Sequence, residues 1–316
     1  SDLVFDYSDE MLSWEPLAAV SGSADLPTFA ITPGDESHER SVLAWMLADR
    51  TNPSSIVASV LAARANLRTT REVLPREAWQ AANQLSHYVQ ATCSGAVERS
   101  LRDGFLLRVT EHCRRFDGTI ESNMSRGEAY SMLRLGRMLE RADMTTRVLG
   151  VAAASALSNE RFRRATGARE DIVIDEVQWM SVLRSVSALQ MYQRATRGPI
   201  TGLAVVEFLM TNAEFPRSLQ ASFDAIRAVL AELPNADRPE LWLTAAEGLL
   251  ERSEADVSEG ASLDRAMEQI QLAIAELATV IHETYVGTFL NPPPDDEPES
   301  PPAHGPVSRL AASPDA

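Results

Sequence analysis

The sequence predicts an all-α protein: a multi-helix bundle, read as two related halves, followed by a tail too polar to fold. Three observations carry that prediction. From Ser37 to about Leu290 the apolar residues recur at intervals of three and four, with no run of strict alternation. Helix-start signals punctuate this stretch, in Asn52-Pro53-Ser54-Ser55, Leu74-Pro75 and Phe215-Pro216. After Asn291 the run PPPDDEPESPP is rich in proline and acid and offers little apolar surface to bury.

Residues 1–36 form an irregular segment of acidic, aromatic, glycine and proline residues, with one short helical candidate at Met11–Val20. The helical domain then spans 37–290 and the tail 291–316. Within the domain, helices are expected near 38–49, 53–73, 76–99, 101–116 and 125–156. Five more are expected near 176–196, 201–211, 216–233, 239–252 and 261–286. Asn52 caps the second helix ahead of a proline at its first position, Pro75 separates the second from the third, and Pro216 opens the eighth. A weak repeat runs through the chain. Trp14, Val42–Leu47 and Asn52-Pro53 are echoed by Trp179, Val182–Ala188, Val205–Met210 and Phe215-Pro216, about 165 residues later. The second half then begins near residue 176. Two unrelated amphipathic helix pairs would give a similar pattern.

Composition narrows the chemistry. Hydrophobic residues make up 45% and charged residues 23% of 316, the balance of a globular protein. No run approaches the roughly 18 apolar residues a membrane span needs, so a cytoplasmic protein without membrane contact is expected. A formal charge of −16 disfavours a nucleic-acid backbone as partner. The sequence contains no lysine, which removes Schiff-base chemistry and the phosphate loop ending in Lys-Ser/Thr. Its cations are arginines, which clamp and orient anions but do not serve as bases. Cys93 and Cys113 are too few for a disulfide framework and read as buried free thiols. His87, Cys93, His112 and Cys113 lack metal-ligand spacing, and no metal or cofactor is expected. His38, His282 and the tail's His304 read as structural or solvent-facing.

Two helices concentrate charge. In the helix at 125–156, Met132, Leu135, Leu139, Ala142, Thr146 and Leu149 form a packing stripe. Arg134, Arg137, Glu140, Arg141, Asp143 and Arg147 occupy the other half of the wheel, as on a solvated face. In the helix at 53–73, Arg64, Arg68 and Arg71 run beside an apolar line of Ile56, Val60, Ala63, Leu67 and Leu74. Like charges one turn apart repel by roughly 0.2–0.5 kcal/mol. They need anions from elsewhere: Glu140 and Asp143 on a neighbouring helix, or the carboxylate or phosphate of a ligand. No nucleophile elbow, HExxH or glycine-rich phosphate cradle is present.

The residues Asn52-Pro53-Ser54-Ser55-Ile56, Ala62-Ala63-Arg64-Ala65-Asn66-Leu67-Arg68, Arg71, Glu77, Trp79 and Asn83 resemble the alpha-E domain family. So do LGRMLERAD at 135–143 with Thr146-Arg147, and, in the second half, Trp179, Leu183-Arg184-Ser185, Ala188, Tyr192 and VVEFLMTNAEFPRS at 205–218. The resemblance covers about Trp14 to Leu233 and, more weakly, extends to Phe289. It implies an all-helical bacterial protein associated with a circularly permuted ATP-grasp ligase, with a transglutaminase-like protein and a proteasome-like peptidase nearby. The implied setting is ATP-dependent amide-bond formation on a peptide or amino acid. Two departures stand out. Ala65 lies where members usually carry Glu, and the family's usual first helix, with its own LGR-x-LER copy, is not seen ahead of Trp14. Its loss would leave a gap beside the 125–156 helix, to be filled by a partner or by self-association.

Three functions are therefore expected in turn. The first is an accessory subunit of a peptide-forming system, binding a substrate, an acyl phosphate or a partner through Arg64, Asn66, Arg68, Arg71, Arg137, Arg141 and Arg147. The second is an enzyme component that passes an activated acyl group to an amine, with Glu140 or Asp143 as base. A carboxylate among arginines is a poor base near neutral pH. The third is a structural adaptor in which every one of these charges is an ion pair.

Overall fold

The computed structural model describes residues 20–21, 36–166, 171–258 and 262–286. Regular structure among them is helical throughout. The helices are α1 (Glu36–Leu47), α2 (Ile56–Thr69), α3 (Arg76–Thr92), α4 (Arg99–Asn123), α5 (Glu128–Thr166) and α6 (Asp171–Ser185). They continue as α7 (Leu189–Thr196), α8 (Gly202–Thr211), α9 (Leu219–Leu230), α10 (Asp237–Ser258) and α11 (Leu263–Ile281), which runs on into a π turn at His282–Val286. Val20 is helical and buried. The rest of the Met11–Val20 candidate, Trp14 and the tail lie outside the described residues.

The loops that open α2 and α9 are built alike. Before α2, the Asp49 carboxylate accepts the Thr51 amide at 2.7 Å, and the Ser55 hydroxyl donates to the Asp49 carbonyl at 2.6 Å. Ser55 Oγ also caps the helix by accepting from the Ala58 amide at 3.1 Å. Before α9, Asn212 Oδ1 accepts the Glu214 amide at 3.0 Å, and the Ser218 hydroxyl donates to the Asn212 carbonyl at 2.5 Å. Ser218 Oγ then accepts the Ala221 amide at 3.0 Å. Pro53 and Pro216 sit at matching places, two residues before the capping serine. One offset of about 163 positions relates Asp49 to Asn212, Ser55 to Ser218, Arg64 to Arg227 and Trp79 to Trp242. It also overlays α1–α4 on α8–α11, so a four-helix unit occurs twice, with α5 to α7 between the copies.

The two copies differ in what covers them. In the second, α5 packs along both α9 and α11, and α10 packs on α11. Their shared core contains Leu135, Ala142, Leu149, Phe223, Ile226 and Ile270. In the first copy α3 packs between α2 and α4, and Val42, Leu43, Val57, Val89, Val97 and Phe105 form a smaller core. A third cluster of Ala78, Ile120, Met124 and Tyr130 joins the start of α5 to the first copy.

Several boundaries differ from the sequence expectation. The second helix starts at Ile56 because Asn52–Ser55 is spent on the capping loop. It ends at Thr69, and a 3₁₀ turn at Arg71–Val73 follows. The expected helix at 101–116 runs from Arg99 to Asn123, and the one at 125–156 runs from Glu128 to Thr166. The expected helix at 176–196 is two helices. Ser187 has φ +56° and the Ala188 amide bonds back to the Leu183 carbonyl at 2.7 Å. No glycine or proline announces that break. A left-handed residue costs roughly 1–2 kcal/mol, and the turn puts Val186, Ala188 and Tyr192 into the larger core. Of the two thiols expected to be buried, Cys93 is buried but Cys113 is exposed. The apolar stripe of α5 is as expected, with Leu135, Ala142, Thr146 and Leu149 buried.

Candidate functional site

The LGRMLERAD segment lies in the first half of α5, and its arginines are not all on a solvated face. Arg137 leans across to α4, where Nη2 donates to Asp117 at 3.0 Å and Nη1 to Glu121 at 3.1 Å. Glu121 is a hub. It accepts the Tyr130 hydroxyl at 2.7 Å and Arg126 Nη1 at 3.2 Å, while the Arg126 guanidinium lies 4.1 Å from the Tyr130 ring centroid. The Tyr130 hydrogen bond first, and then those of Arg126 and Arg137, hold the Glu121 carboxyl below the usual carboxylate range. Burial, and then the neighbouring Glu121 carboxylate, push the Tyr130 phenol up.

Arg141, one turn further on, is half-buried and has no such partner. Among the described residues its guanidinium contacts the Met138 sulfur through Nη1 at 3.9 Å and has no carboxylate within ion-pair reach. Burial lowers its proton affinity most, and the guanidinium groups of Arg137 and Arg217 lower it further. Arg217 belongs to the loop that opens α9. The Thr145 hydroxyl fastens that loop by donating to the Arg217 carbonyl at 2.8 Å. Arg137 and Arg217 are thus near enough to act on the Arg141 charge, and Asp117, itself paired with Arg137, offsets them in part. Such a site suits a carboxylate or phosphate, which a guanidinium fork binds bidentately.

The other predicted residues are elsewhere. Arg64 Nε donates to Asn83 Oδ1 at 2.7 Å, and the Arg64 and Arg71 guanidinium groups lie 5.8 and 5.2 Å from the Trp79 ring centroid. Each cation–π contact contributes about 0.5–1 kcal/mol at an exposed site. Arg68 and Asn66 are exposed, and the Asn66 carbonyl ends α2 by accepting the Thr70 amide at 3.3 Å. Neither Glu140 nor Asp143 reaches this stripe. Glu140 is exposed, and Asp143 is paired with Arg147 Nε at 2.7 Å. No described ion pair or hydrogen bond joins the Arg64–Arg71 group to the Arg137–Arg141 group. Arg64 and Arg71 of the stripe lie over Trp79. Two apolar depressions, one lined by Leu203, Val206, Met210 and Val257 and one by Tyr88, Ala96, Leu101 and Phe105, contain none of these arginines.

Sequence reasoning missed Arg217, Asp117 and Glu121. Arg217 lay in the FPRS string, where Ser218 as a helix cap marks a loop end able to present it. Nothing local marks Asp117 or Glu121, because they meet Arg137 only through the packing of α4 against the start of α5. Among the described residues no three His, Cys, Asp or Glu side chains converge as a metal site. No helix among them is long and apolar enough to cross a membrane.

A family profile described as a predicted alpha-helical domain with a conserved ER motif matches residues 3–286. The chain belongs to the Alpha-E family. This Alpha-E chain is 25% identical over 248 residues to an uncharacterized protein of Mycobacterium bovis, and equally to one of Mycobacterium tuberculosis. The match covers 75% of the chain but 26% of each relative, so the Alpha-E domain spans about a quarter of the proteins it resembles. No solved structure matches it.

Proposed function

We propose that this Alpha-E chain is an accessory, anion-binding subunit of an ATP-grasp-dependent amide-bond-forming system. The observation that carries the reading is Arg141: a half-buried cation acted on by Arg137 and Arg217 and in ion-pair contact with no described carboxylate, since Asp117, which acts on it from further off, is paired with Arg137. A buried charge is costly unless paired, and a carboxylate or phosphate oxygen on Arg141 would supply the pairing. We take Glu140-Arg141, inside LGRMLERAD, as the Glu-Arg pair that names the family, out of five Glu-Arg steps in the sequence. The substrates of amide ligation carry the matching chemistry, in a free carboxylate before activation and an acyl phosphate after it. The ligase itself is the partner implied by the family resemblance.

Calorimetric titration tests the binding reading with ATP, acetyl phosphate and short acidic peptides as probes. Arg141→Gln should weaken the tightest of them at least tenfold with an unchanged melting temperature, while Arg68→Gln should leave it unaltered. If no probe binds, or Arg141→Gln binds as well as the parent, the site is only structural. The system-level reading is tested by product formation. A ligase that forms full product without this chain would remove the accessory role.

A further inference from the structure

Arg217 belongs to a capping loop that has no structural need of it. The first copy builds the same loop with Ser54 at the matching place. In both copies the cap is made by the serine that follows, and that serine donates to the carbonyl six places before it. Arg217 is exposed, and among the described residues no carboxylate pairs with it. Its charge nevertheless acts on Arg141. Like charges repel, so a loop free to choose its place would carry Arg217 away from Arg141. Thr145 removes that freedom. Its side chain is 2% exposed, and its hydroxyl lies 2.9 Å from the Arg141 carbonyl and 2.8 Å from the Arg217 carbonyl. A hydroxyl has one hydrogen to donate, and within α5 the Arg141 carbonyl already accepts the Thr145 amide. The bond to Arg217 is therefore the one that ties together two segments 72 positions apart.

We infer that Arg217 is a second ligand-binding cation of the Arg141 site and that Thr145 is its positioning residue. The inference rests on the anion-binding reading above and adds to it the loop cation and the hydroxyl that holds it in place. Thr145 touches no ligand. It fixes the backbone from which the Arg217 side chain reaches, on the same turn of α5 that carries Arg141. A carboxylate or phosphate seated on Arg141 then meets a further guanidinium whose starting point is already set. Fixing a binding group before the ligand arrives lowers the ordering cost of binding. The repulsion between the two arginines is relieved when the anion enters, so the arrangement favours the occupied site.

The test titrates the full chain calorimetrically with ATP, acetyl phosphate and tetraglutamate, and follows the tightest of them through a set of variants. Arg217→Gln and Thr145→Val should each weaken it by roughly threefold or more, the range of one exposed charge contact. Thr145→Ser retains the hydroxyl and should bind as the parent does. The decisive variant combines Thr145→Val with Arg217→Gln. It should bind as Arg217→Gln alone does, because Thr145 acts only through Arg217, whereas a merely structural effect would multiply with the loss of the arginine. Thr145→Ala only removes atoms and keeps the test valid if Thr145→Val fails to fold. The inference is overturned if Arg217→Gln binds like the parent, if both Thr145 variants lacking the hydroxyl do so, or if the two losses multiply. When Arg141→Gln weakens binding and these variants do not, this inference alone falls. When no probe binds, or Arg141→Gln binds as well as the parent, the anion site falls and this inference with it.

Discussion

Arg64 and Arg227 occupy the same turn of α2 and α9, and only Arg227 meets a carboxylate. Its Nε donates to Glu247 Oε1 at 3.2 Å, Nη2 bonds Glu247 Oε2, and the pair holds the guanidinium's proton affinity up. Arg64 has the neutral Asn83 and the face of Trp79 instead. Asn83→Asp should therefore raise stability at low salt, by about 0.2–1 kcal/mol, with the gain shrinking as salt is added. Urea unfolding at two ionic strengths checks this. Glu121 makes the pH prediction. Its carboxyl is depressed by Tyr130, Arg126 and Arg137, so its contribution is in full force above the unfolded carboxylate pKa and fades as pH falls through the lower folded value. Glu121→Gln should flatten the acid limb of the stability profile below about pH 4 and leave the neutral region less changed. Equal slopes in both proteins would contradict it.

At the scale of the element, helix starts are the exacting places. Ser218 is fully buried, caps α9, and donates to the Asn212 carbonyl. Ser218→Ala removes both bonds and should cost about 1–3 kcal/mol, more than an exposed cap would. At the first residue of α8, a Cβ added to Gly202 would stand 2.7 Å from Trp179 Nε1 and 2.8 Å from Cε2. Trp179 is 5% exposed within the larger core and has little room to move. Gly202→Ala should thus destabilise by about 1–3 kcal/mol through overpacking, although alanine is the better helix former. A thermal melt at or above the parent value would refute the close approach.

For the molecule as a whole, the duplication makes two units of one pattern with unequal burial. The second unit, wrapped on α5, holds most of the large core, and the first leaves α2 and α4 half-covered. Local opening is easier where apolar contacts are few, so amides of α2 should exchange with deuterium faster than the matching amides of α9. Comparable protection along both helices would contradict the unequal burial. The apolar stripe of α5 meets α9 and α11.

The sequence by itself determined that the chain is helical and where most helices begin, because periodicity, proline and capping residues act over one or two turns. It also determined the stripe of α5, since an amphipathic helix declares its buried side. The break at Ser187 escaped it, because burial of residues distant in the chain offsets a left-handed turn that no local signal requests. Tertiary packing alone decided which charges meet across helices. Arg137 found Asp117 and Glu121 on α4, because such pairing depends on a few ångströms between helices that no spacing along a sequence encodes, whereas Arg147 took Asp143 one turn away on α5, a pair that the sequence spacing already offers.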